Sequence, residues 1–542
     1  LPSPPFCLPI SPSASPFPTY PSCDLSYLHF LCVMSDSVPS PQKIVSKDKR
    51  GADDVAAHGG KRRRKLDLSP TPAPSSLSTA IANSATPPSQ SSQPFSASQQ
   101  SSFAEAMIND ELNVSESHTT TSSSAVVESI VPVQHSRPTG EPLTASSSIL
   151  FQQIDIDYHV VRERDGPGPT GMPGLAVGPR AVLRLYGVTD SGATVLASVH
   201  GFVPYFYIPR PAASITPDAF MGWLDGRMRA RTRAQAQLAP RYCVRVEEVQ
   251  RKSILGYVPE KSAYWRVYMS LPAHVAGARA ECSAGGASPG SSVHFVGCNT
   301  LESDMPFVLR FMIDKGIVGM SWINLPPGSF QVVPDSRRQS RGAAYEVDVA
   351  HDRLEALSAD TTSERGSSLA PLRILSFDIE CMSSKGFPSA ERDAVIQIAS
   401  VVSVLGKPTP LVKQVLTLNT CAPIAGADVR SFRTERELML AFQAFVRTVD
   451  PDILTGYNIC NFDLPYLIDR ATALKIDDRF NLLGRLDRSR ARVKDAKFSS
   501  KAYGTRESKE TVIEGRVTLD VLQVMQRDYK LRAYSLNAVS DE

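Results

Sequence analysis

Residues 372–381 read Leu-Arg-Ile-Leu-Ser-Phe-Asp-Ile-Glu-Cys, an apolar stretch that two carboxylates interrupt. Asp378 and Glu380 stand at positions i and i+2, and side chains with that spacing face the same side of a β-strand. Neighbouring carboxylates on a buried strand repel each other and resist ionisation unless a cation lies between them. Carboxylates that hold divalent cations carry out phosphodiester hydrolysis. An edge strand with two solvated acids is the alternative, and the downstream sequence decides between the two.

The elements after this stretch predict one continuous sheet with a helix packed on it. Residues 395–404 form a nearly uninterrupted apolar run, as in a central strand. Thr434 and Glu437 make a capping-box pattern at the start of a helix, and its apolar residues recur with helical spacing up to Val449. A short buried strand is predicted at 452–457.

Asp463 lies in a polar loop that leads into a helix with Pro465 in its first turn. An isolated aspartate at that position is most often an N-cap. Two observations favour a functional role: the order of elements places the loop beside the 372–381 strand, and Asn458 and Asn461 cluster there. The sequence therefore predicts that Asp463 joins the two acids of that strand.

Composition excludes several other classes of protein. The chain has 542 residues, net charge +3 and nine scattered cysteines without a CxxC pair. A zinc or iron–sulfur site is therefore not indicated, and the cysteine pattern fits a reducing compartment. No apolar run approaches the roughly 18 residues that a membrane span needs.

Residues 1–148 are rich in Ser, Thr, Pro and Gln and are predicted to be a disordered tail. Because Leu1 is not a methionine and Met34 opens a more ordinary N-terminus, residues 1–33 are expected to be upstream sequence. The tail contains one basic cluster, which indicates a nuclear import signal or a nucleic-acid-binding patch, with import favoured over a merely solvated charge run. Its members are Lys61, Arg62, Arg63, Arg64 and Lys65.

Residues 149–334 predict a β-rich α+β domain, with aromatic residues that belong to the core rather than to a stacking surface. The polar segment 335–370 is predicted to be a connector, and a second, α/β domain occupies 371–542. Within it, basic residues crowd 485–501, either as a phosphate-contacting surface or as a solvated loop. A hairpin is predicted with strands 497–503 and 510–517, and Asp520 is expected to cap a helix.

Six stretches of the sequence resemble the family B DNA polymerases, and within them the delta branch. Phe-Asp-Ile-Glu at 377–380 resembles the first motif of the family's 3′–5′ exonuclease. Tyr-Asn-Ile-Cys-Asn-Phe-Asp-Leu-Pro-Tyr-Leu at 457–467 resembles the second motif. The stretch at 529–540 resembles the segment just before the third motif, and 150–153, 200–207 and 319–322 resemble the family's N-terminal domain.

The resemblance implies an RNase H-like exonuclease fold, in which helices flank a mixed sheet, after a β-rich N-terminal domain. It implies two Mg²⁺ or Mn²⁺ ions bound by the catalytic residues Asp378, Glu380 and Asp463. It also implies a nuclear protein of DNA replication, with DNA, accessory polymerase subunits and a sliding clamp as partners. The hairpin would resemble the element that separates primer from template. Candidate contacts to nucleic acid are Asn458, Phe462, Arg485 and Arg488.

The chain also departs from the family pattern. A third exonuclease motif, Tyr-x-x-x-Asp on a helix, is not found after the second; Tyr186 and Asp190 have its spacing but lie in a predicted hairpin before the first motif. The polymerase motifs and the ligands of the family's iron–sulfur cluster are not in this chain. We therefore expect a truncated exonuclease domain that neither polymerises nor degrades DNA efficiently. A free-standing 3′–5′ exonuclease and a non-catalytic nucleic-acid-binding remnant remain as alternatives.

Overall fold

The structure is a computed structural model, and it describes residues 135–144, 146–162, 178–231, 241–253, 259–340, 342–357, 368–383, 386–500 and 504–542. For 496–500 and 504–508 only the backbone is described. The predicted disordered tail up to residue 134 and the basic cluster at 61–65 lie outside these residues. No helix in the described ranges has the length and apolar character to span a bilayer.

The part of the chain before residue 357 is rich in strands, as predicted. Its strands are β1 (Ile149–Val161), β2 (Arg180–Thr189), β3 (Thr194–His200), β4 (Tyr205–Pro209), β5 (Cys243–Lys252), β6 (Lys261–Met269), β7 (Gly286–Ala287), β8 (His294–Phe295), β9 (Trp322–Leu325), β10 (Phe330–Val332), β11 (Tyr345–Ala350) and β12 (Glu355–Ala356). Its helices are α1 (Pro217–Arg231), α2 (Pro272–Ala284) and α3 (Phe307–Lys315).

These strands form two main sheets. The larger has seven strands in the order β10-β11-β3-β2-β1-β9-β12, and only the β11–β3 pair is parallel. The smaller is antiparallel with the order β4-β6-β5, and helices α1 and α2 pack on one of its faces. The prediction of a β-rich α+β domain is confirmed, and residues 307–315 form one of its helices.

The second part of the chain is an α/β domain. Its strands are β13 (Arg373–Cys381), β14 (Val395–Val404), β15 (Val412–Leu418), β16 (Asp428–Phe432), β17 (Ile453–Gly456), β18 (Arg492–Ser500), β19 (Gly504–Val512) and β20 (Val517–Asp520). Its helices are α4 (Glu435–Val449), α5 (Asp463–Ala473), α6 (Asp477–Phe480), α7 (Val521–Asp528) and α8 (Leu536–Asp541).

Strand β13 lies inside a mixed sheet whose order is β16-β15-β14-β13-β17-β20. It pairs antiparallel with β14 and parallel with β17. On one face Leu375, Phe377 and Ile379 are buried, and the Phe377 ring lies 5.4 Å from that of Phe442 in α4. The carboxylates of β13 therefore share the opposite face, as the alternation predicts.

Helix α4 begins as the sequence predicts. The Thr434 side chain accepts the Glu437 N–H, and the Glu437 side chain accepts the Thr434 N–H, which completes a capping box. The helix buries eight of its residues against the sheet. Its position behind β13 follows from the apolar face that the sequence displays.

The prediction that 335–370 is a connector is wrong for much of the segment. Residues 345–350 form β11, which pairs with β3 and is nearly all buried. The polar composition of the segment suggested exposure to solvent, but its buried acids have partners. Glu346 accepts the N–H groups of Gln339 and Ser340, and Asp348 contacts His200 at 2.8 Å. Polar composition misled because each buried acid is hydrogen-bonded.

The predicted hairpin exists, but its register differs. Strands β18 and β19 pair from Arg492↔Val512 to Ser500↔Gly504, so residues 504–508, predicted as the turn, belong to the second strand. Of the predicted second strand, residues 510–512 belong to β19, whereas Val517 begins β20, which pairs with β17 in the main sheet.

Two arginines join the β-rich part to the α/β part. Arg137, which precedes β1, donates to the Gly192 carbonyl at 3.1 Å and to the Asp452 carboxylate at 2.5 Å. Arg184 of β2 lies 3.2 Å from the carboxylate of Glu514, just after β19. These charge-assisted contacts hold the start of β17 and the segment after the hairpin against the β-rich domain.

Candidate active site

Asp378 and Glu380 project from the same face of β13. In the antiparallel pairing with β14, Asp378 lies opposite Ala399 and Glu380 lies opposite Gln397. Asp378 is half-buried, whereas Glu380 near the strand end is exposed. Burial, together with the nearby Glu380 charge, raises the pKa of Asp378 to about 7. The pair is therefore a site where negative charge is already costly, and a bound cation would relieve that cost.

Asp463 is the first residue of α5, and the structure brings it to β13. Its side chain is 1% exposed, and its Oδ1 accepts the Ile379 N–H at 3.1 Å. Burial and the charge of Asp378 raise its pKa well above the ordinary value. The N-cap of α5 is Phe462, so the capping role that an isolated aspartate usually has does not apply.

The Asp520 carboxylate holds the loop that leads to Asp463, a role that the sequence did not predict. Asp520 caps α7 by accepting the Leu522 N–H at 3.0 Å, as predicted. The same carboxylate accepts the N–H groups of Asn458 at 2.8 Å and Cys460 at 3.1 Å. It thus fixes the β17–α5 loop, in which Asn458 has a left-handed φ of 65°. Only the parallel pairing of β17 with β20 places these residues together.

Gly456, the last residue of β17, permits the close approach of the two site strands. A Cβ at this position would lie 2.5 Å from the Phe377 carbonyl oxygen and 2.5 Å from a methyl of Ile459. Such distances are not tolerated, so a larger residue would displace β13 or the loop.

Of the four candidate nucleic-acid contacts, Asn458 and Phe462 lie in the loop that leads to Asp463. Asn458 lies in the site loop, where its side chain accepts from Asn461 at 3.2 Å. The Phe462 ring lies 5.2 Å from that of Phe387, which is 78% exposed. Arg488 is exposed but distant in the sequence from the acids.

The prediction that Arg485 contacts nucleic acid is corrected by the structure. Its side chain is buried, and it donates to Asp450 at 3.0 Å and to Asp452 at 2.5 Å. A buried guanidinium whose Nε and one terminal nitrogen are bound by internal carboxylates has no surface to offer a phosphate. The run of basic residues suggested exposure, but this arginine compensates buried acids.

The donor set at β13 suits a hard divalent cation, because carboxylate oxygens are its preferred ligands. Within the described ranges, no arginine or lysine pairs with Asp378 or Asp463, so their repulsion is not offset by a side-chain cation. No three Asp, Glu, His or Cys side chains of the described residues converge closely enough to enclose an ion by themselves. The residues fit an open site in which water completes the coordination.

Comparisons with known proteins place the chain among related sequences. A family profile described as "DNA polymerase family B, exonuclease domain" matches residues 298–539. The chain is 46% identical over 418 residues to the DNA polymerase delta catalytic subunit of Glycine max, covering 75% of this chain and 37% of that protein. The corresponding subunit of Oryza sativa subsp. japonica is 45% identical over 400 residues, with 73% and 35% covered.

The matched relatives are much longer than the region they share with this chain. The chain spans little more than a third of the length of these curated relatives. Among solved structures, a family B DNA polymerase from Pyrobaculum calidifontis aligns with a TM-score of 0.48 and 22% identity, covering 72% of this chain and 39% of that one.

Proposed function

Because the chain belongs to the family B DNA polymerases through its exonuclease region, we propose that it supplies the proofreading part of a replicative DNA-directed DNA polymerase. Its 3′–5′ exonuclease would remove the terminal nucleotide of a DNA strand by hydrolysis. The observation that carries this proposal is the convergence of Asp463 on β13, where its Oδ1 accepts the Ile379 N–H at 3.1 Å beside Asp378.

We propose that Asp378, Glu380 and Asp463 hold divalent cations, Mg²⁺ or Mn²⁺, with two ions at the full site. Bound there, the cations would supply Lewis-acid polarisation of the phosphate and a lowered pKa for the attacking water. The chain itself positions the carboxylates that would bind these cations. The Ile379 N–H orients the Asp463 carboxylate, and the Asp520 carboxylate holds the loop that precedes it.

The DNA strand would enter beside the loop between β17 and α5. Phe462, with the exposed ring of Phe387, offers an aromatic surface to an unpaired terminal base. Asn458 offers an amide, and Arg488 offers a cation for the backbone. Accessory polymerase subunits and a sliding clamp are proposed partners of the whole enzyme.

A nuclear location is proposed from the basic cluster of Lys61, Arg62, Arg63, Arg64 and Lys65. Deletion of 61–65 is expected to move a fluorescent fusion of the full chain out of the nucleus, because import receptors recognise such clusters. A fusion that keeps its nuclear signal after the deletion contradicts this assignment.

Metal binding tests the site without depending on turnover. We expect the full chain to bind Mn²⁺, measured as loss of the free-ion electron paramagnetic resonance signal. The double variant Asp378→Asn, Glu380→Gln should bind at least about ten-fold more weakly, since it lacks two anionic ligands. Asp428→Asn is the matched control, because this exposed acid of β16 lies outside the site. Equal Mn²⁺ affinity in wild type and double variant would refute the proposed metal site.

Activity tests whether the three acids suffice. We expect a protein of residues 1–542 alone to release 3′-terminal nucleotides from single-stranded DNA far more slowly than an intact delta polymerase, because no Tyr-x-x-x-Asp motif follows Asp463 within these residues. Hydrolysis at a comparable, metal-dependent rate would show that Asp378, Glu380 and Asp463 are sufficient.

A further inference from the structure

A buried ion pair joins the first residue of α4 to the helix that begins with Asp463. Glu435 and Arg470 are both buried and meet through two parallel contacts. The arginine Nε donates to Oε1 of the glutamate at 2.8 Å, and one terminal nitrogen donates to Oε2 at 2.7 Å. Paired contacts of this kind fix the direction of both side chains. We refer to Glu435 and Arg470 as the α4–α5 ion pair.

The α4–α5 ion pair contacts strand β14 where its pairing with β13 is irregular. Glu380 lies opposite Gln397, but the next residue, Cys381, lies opposite Val395, so one residue of β14 is skipped directly after Glu380. Such bulges change the direction of neighbouring side chains and are frequent next to active sites. Val395 is fully buried, and its N–H donates to Oε1 of Glu435 at 2.8 Å.

One oxygen of Glu435 therefore has two donors. Oε1 accepts the Val395 N–H and the Nε of Arg470, each at 2.8 Å. Because the guanidinium also holds the second oxygen, the carboxylate keeps one orientation towards the strand. The backbone opposite Cys381 is thus fixed by α5 as well as by the pairing of the strands.

Arg470 also holds the segment that precedes β14. Its other terminal nitrogen donates to the Ala390 carbonyl at 3.0 Å. In turn, the Met382 N–H, directly after β13, donates to the Ala394 carbonyl at 2.9 Å. The end of β13 is therefore linked to α5 through this segment and through the start of β14.

Stability alone is a poor explanation for the α4–α5 ion pair. Taking two charges out of water costs free energy, and apolar residues of similar volume often serve a fold equally well. Apolar residues cannot supply an oriented acceptor for a buried backbone N–H. In this fold the ion pair supplies that acceptor to Val395, beside the bulge that follows Glu380.

We propose that the α4–α5 ion pair positions Glu380 for cation binding, a role that rests on the metal site proposed above. Glu435 and Arg470 do not contact the cation. They fix the bulge that sets the direction of Glu380 relative to Asp378 and Asp463. They are therefore positioning residues, and their substitution should act on the cation only through Glu380.

Mn²⁺ binding to the full chain, measured as loss of the free-ion electron paramagnetic resonance signal, tests this role. Arg470→Met should weaken binding by about ten-fold, the lower end of the loss that follows removal of a residue that orients a metal ligand. Arg470→Lys keeps the charge but not the paired contacts, so it should lose less.

Arg447→Met is the matched control. This arginine lies at the other end of α4, where it forms an ion pair with Asp487 at 2.6 Å. Its removal deletes an arginine ion pair from the same helix without touching β14 or α5, so Mn²⁺ affinity should remain at the wild-type value.

A double-mutant cycle shows whether the ion pair acts through Glu380. In a Glu380→Gln background, Arg470→Met should change Mn²⁺ affinity by less than about two-fold, because the carboxylate that it positions is absent. A merely structural effect would lower the affinity equally in both backgrounds. Amide hydrogen exchange supplies a second readout: the Val395 N–H should exchange faster in Arg470→Met, whereas that of Leu375 in the middle of β13 should stay protected.

A second variant covers the case in which Arg470→Met does not fold, because it leaves Glu435 buried without its cation. The variant Glu435→Met, Arg470→Met removes both charges and should fold, yet it should show the same loss of Mn²⁺ affinity. Equal affinity in wild type and Glu380→Gln would overturn the metal site and the positioning role together. A loss in Glu380→Gln with wild-type affinity in the double methionine variant, or equal losses in both backgrounds of the cycle, would overturn the positioning role alone.

Discussion

At the scale of single residues, the site depends on acids placed where ionisation is opposed. Asp378 is half-buried next to Glu380, and Asp463 is almost wholly buried next to Asp378. Each carboxylate raises the cost of charge on its neighbour, because like charges at short distance in a poorly solvated region repel. Carboxylates that repel each other in this way lower the stability of the fold, whereas their combined negative charge attracts a cation. The placement is therefore a better indication of function than the residue types alone.

Gly456 gives a prediction at the residue scale. We expect Gly456→Ala to lower the free energy of unfolding by about 1–3 kcal/mol, because its Cβ would overlap the Phe377 carbonyl. Mn²⁺ affinity should fall as well, since the shift is adjacent to Asp378. Urea unfolding and the Mn²⁺ titration measure the two effects. In Gly319→Ala, where no atom lies within 4 Å of the new Cβ, the change should stay within about 0.5 kcal/mol. Similar stabilities for the two variants would contradict the prediction.

At the scale of elements, the end of strand β20 fixes the conformation of the loop that leads to Asp463. Strand β20 ends at Asp520, whose carboxylate caps α7 and also binds two N–H groups of the loop before α5. This loop has a left-handed residue, Asn458. The position of Asp463 thus depends on a strand that is more than fifty residues away in the chain.

Substitution of Asp520 tests this dependence. Asp520→Ala removes a helix cap and two further acceptors, so we expect a loss of stability of about 2–3 kcal/mol. Asp520→Asn keeps an oxygen for Asn458 and Leu522 and loses the acceptor of the Cys460 N–H, so it should cost roughly half as much. Amide hydrogen exchange should accelerate at Cys460 in both variants, but at Asn458 only in the alanine variant. Exchange at Asn458 that is unchanged by the alanine substitution would show that the loop holds itself.

At the scale of the whole molecule, a buried ion network connects the two parts of the chain. Asp452 is fully buried and accepts from Arg137 and Arg485, both at 2.5 Å. Asp450 accepts from Arg485 at 3.0 Å and from Arg516 at 2.7 Å. Because Arg137 precedes β1, the network joins the β-rich part, the end of α4 and the segment after the hairpin.

The network predicts a dependence of stability on pH. Burial alone would raise the pKa of Asp450, but the guanidinium groups of Arg485, Arg516 and Arg137 outweigh burial and lower it. A carboxylate whose pKa is lower in the folded state stabilises the fold above its unfolded value of 3.8, and this contribution is lost as the pH falls below that value. The free energy of unfolding should therefore decrease with acidification from about pH 5 towards pH 3.

Asp450→Asn isolates this contribution. At pH 7 we expect a loss of about 3–5 kcal/mol, because buried arginines lose a charged partner. Below the unfolded pKa the difference between wild type and variant should narrow, since Asp450 is then increasingly protonated in the unfolded chain. Urea unfolding at several pH values measures it, with the exposed Asp428→Asn as control. A difference that stays constant over this range would exclude Asp450 as the source.

The sequence by itself determined the elements that local patterns specify. The spacing of Asp378 and Glu380 indicated one face of a strand, and the capping box at Thr434 located the start of α4; the structure agrees with both. Both patterns depend on residues fewer than five positions apart. For the same reason, the motif at 457–467 could be recognised before any fold was known.

Only the tertiary structure decided the relations between distant residues. It showed that Asp463 accepts an N–H of β13 instead of capping its own helix, and that Asp520 holds the intervening loop. It also removed Arg485 from the candidate DNA contacts and turned part of a predicted connector into β11. The physical reason is common to all four: whether a polar side chain is solvated or paired depends on partners that the fold brings from far along the chain, and local sequence does not encode those partners.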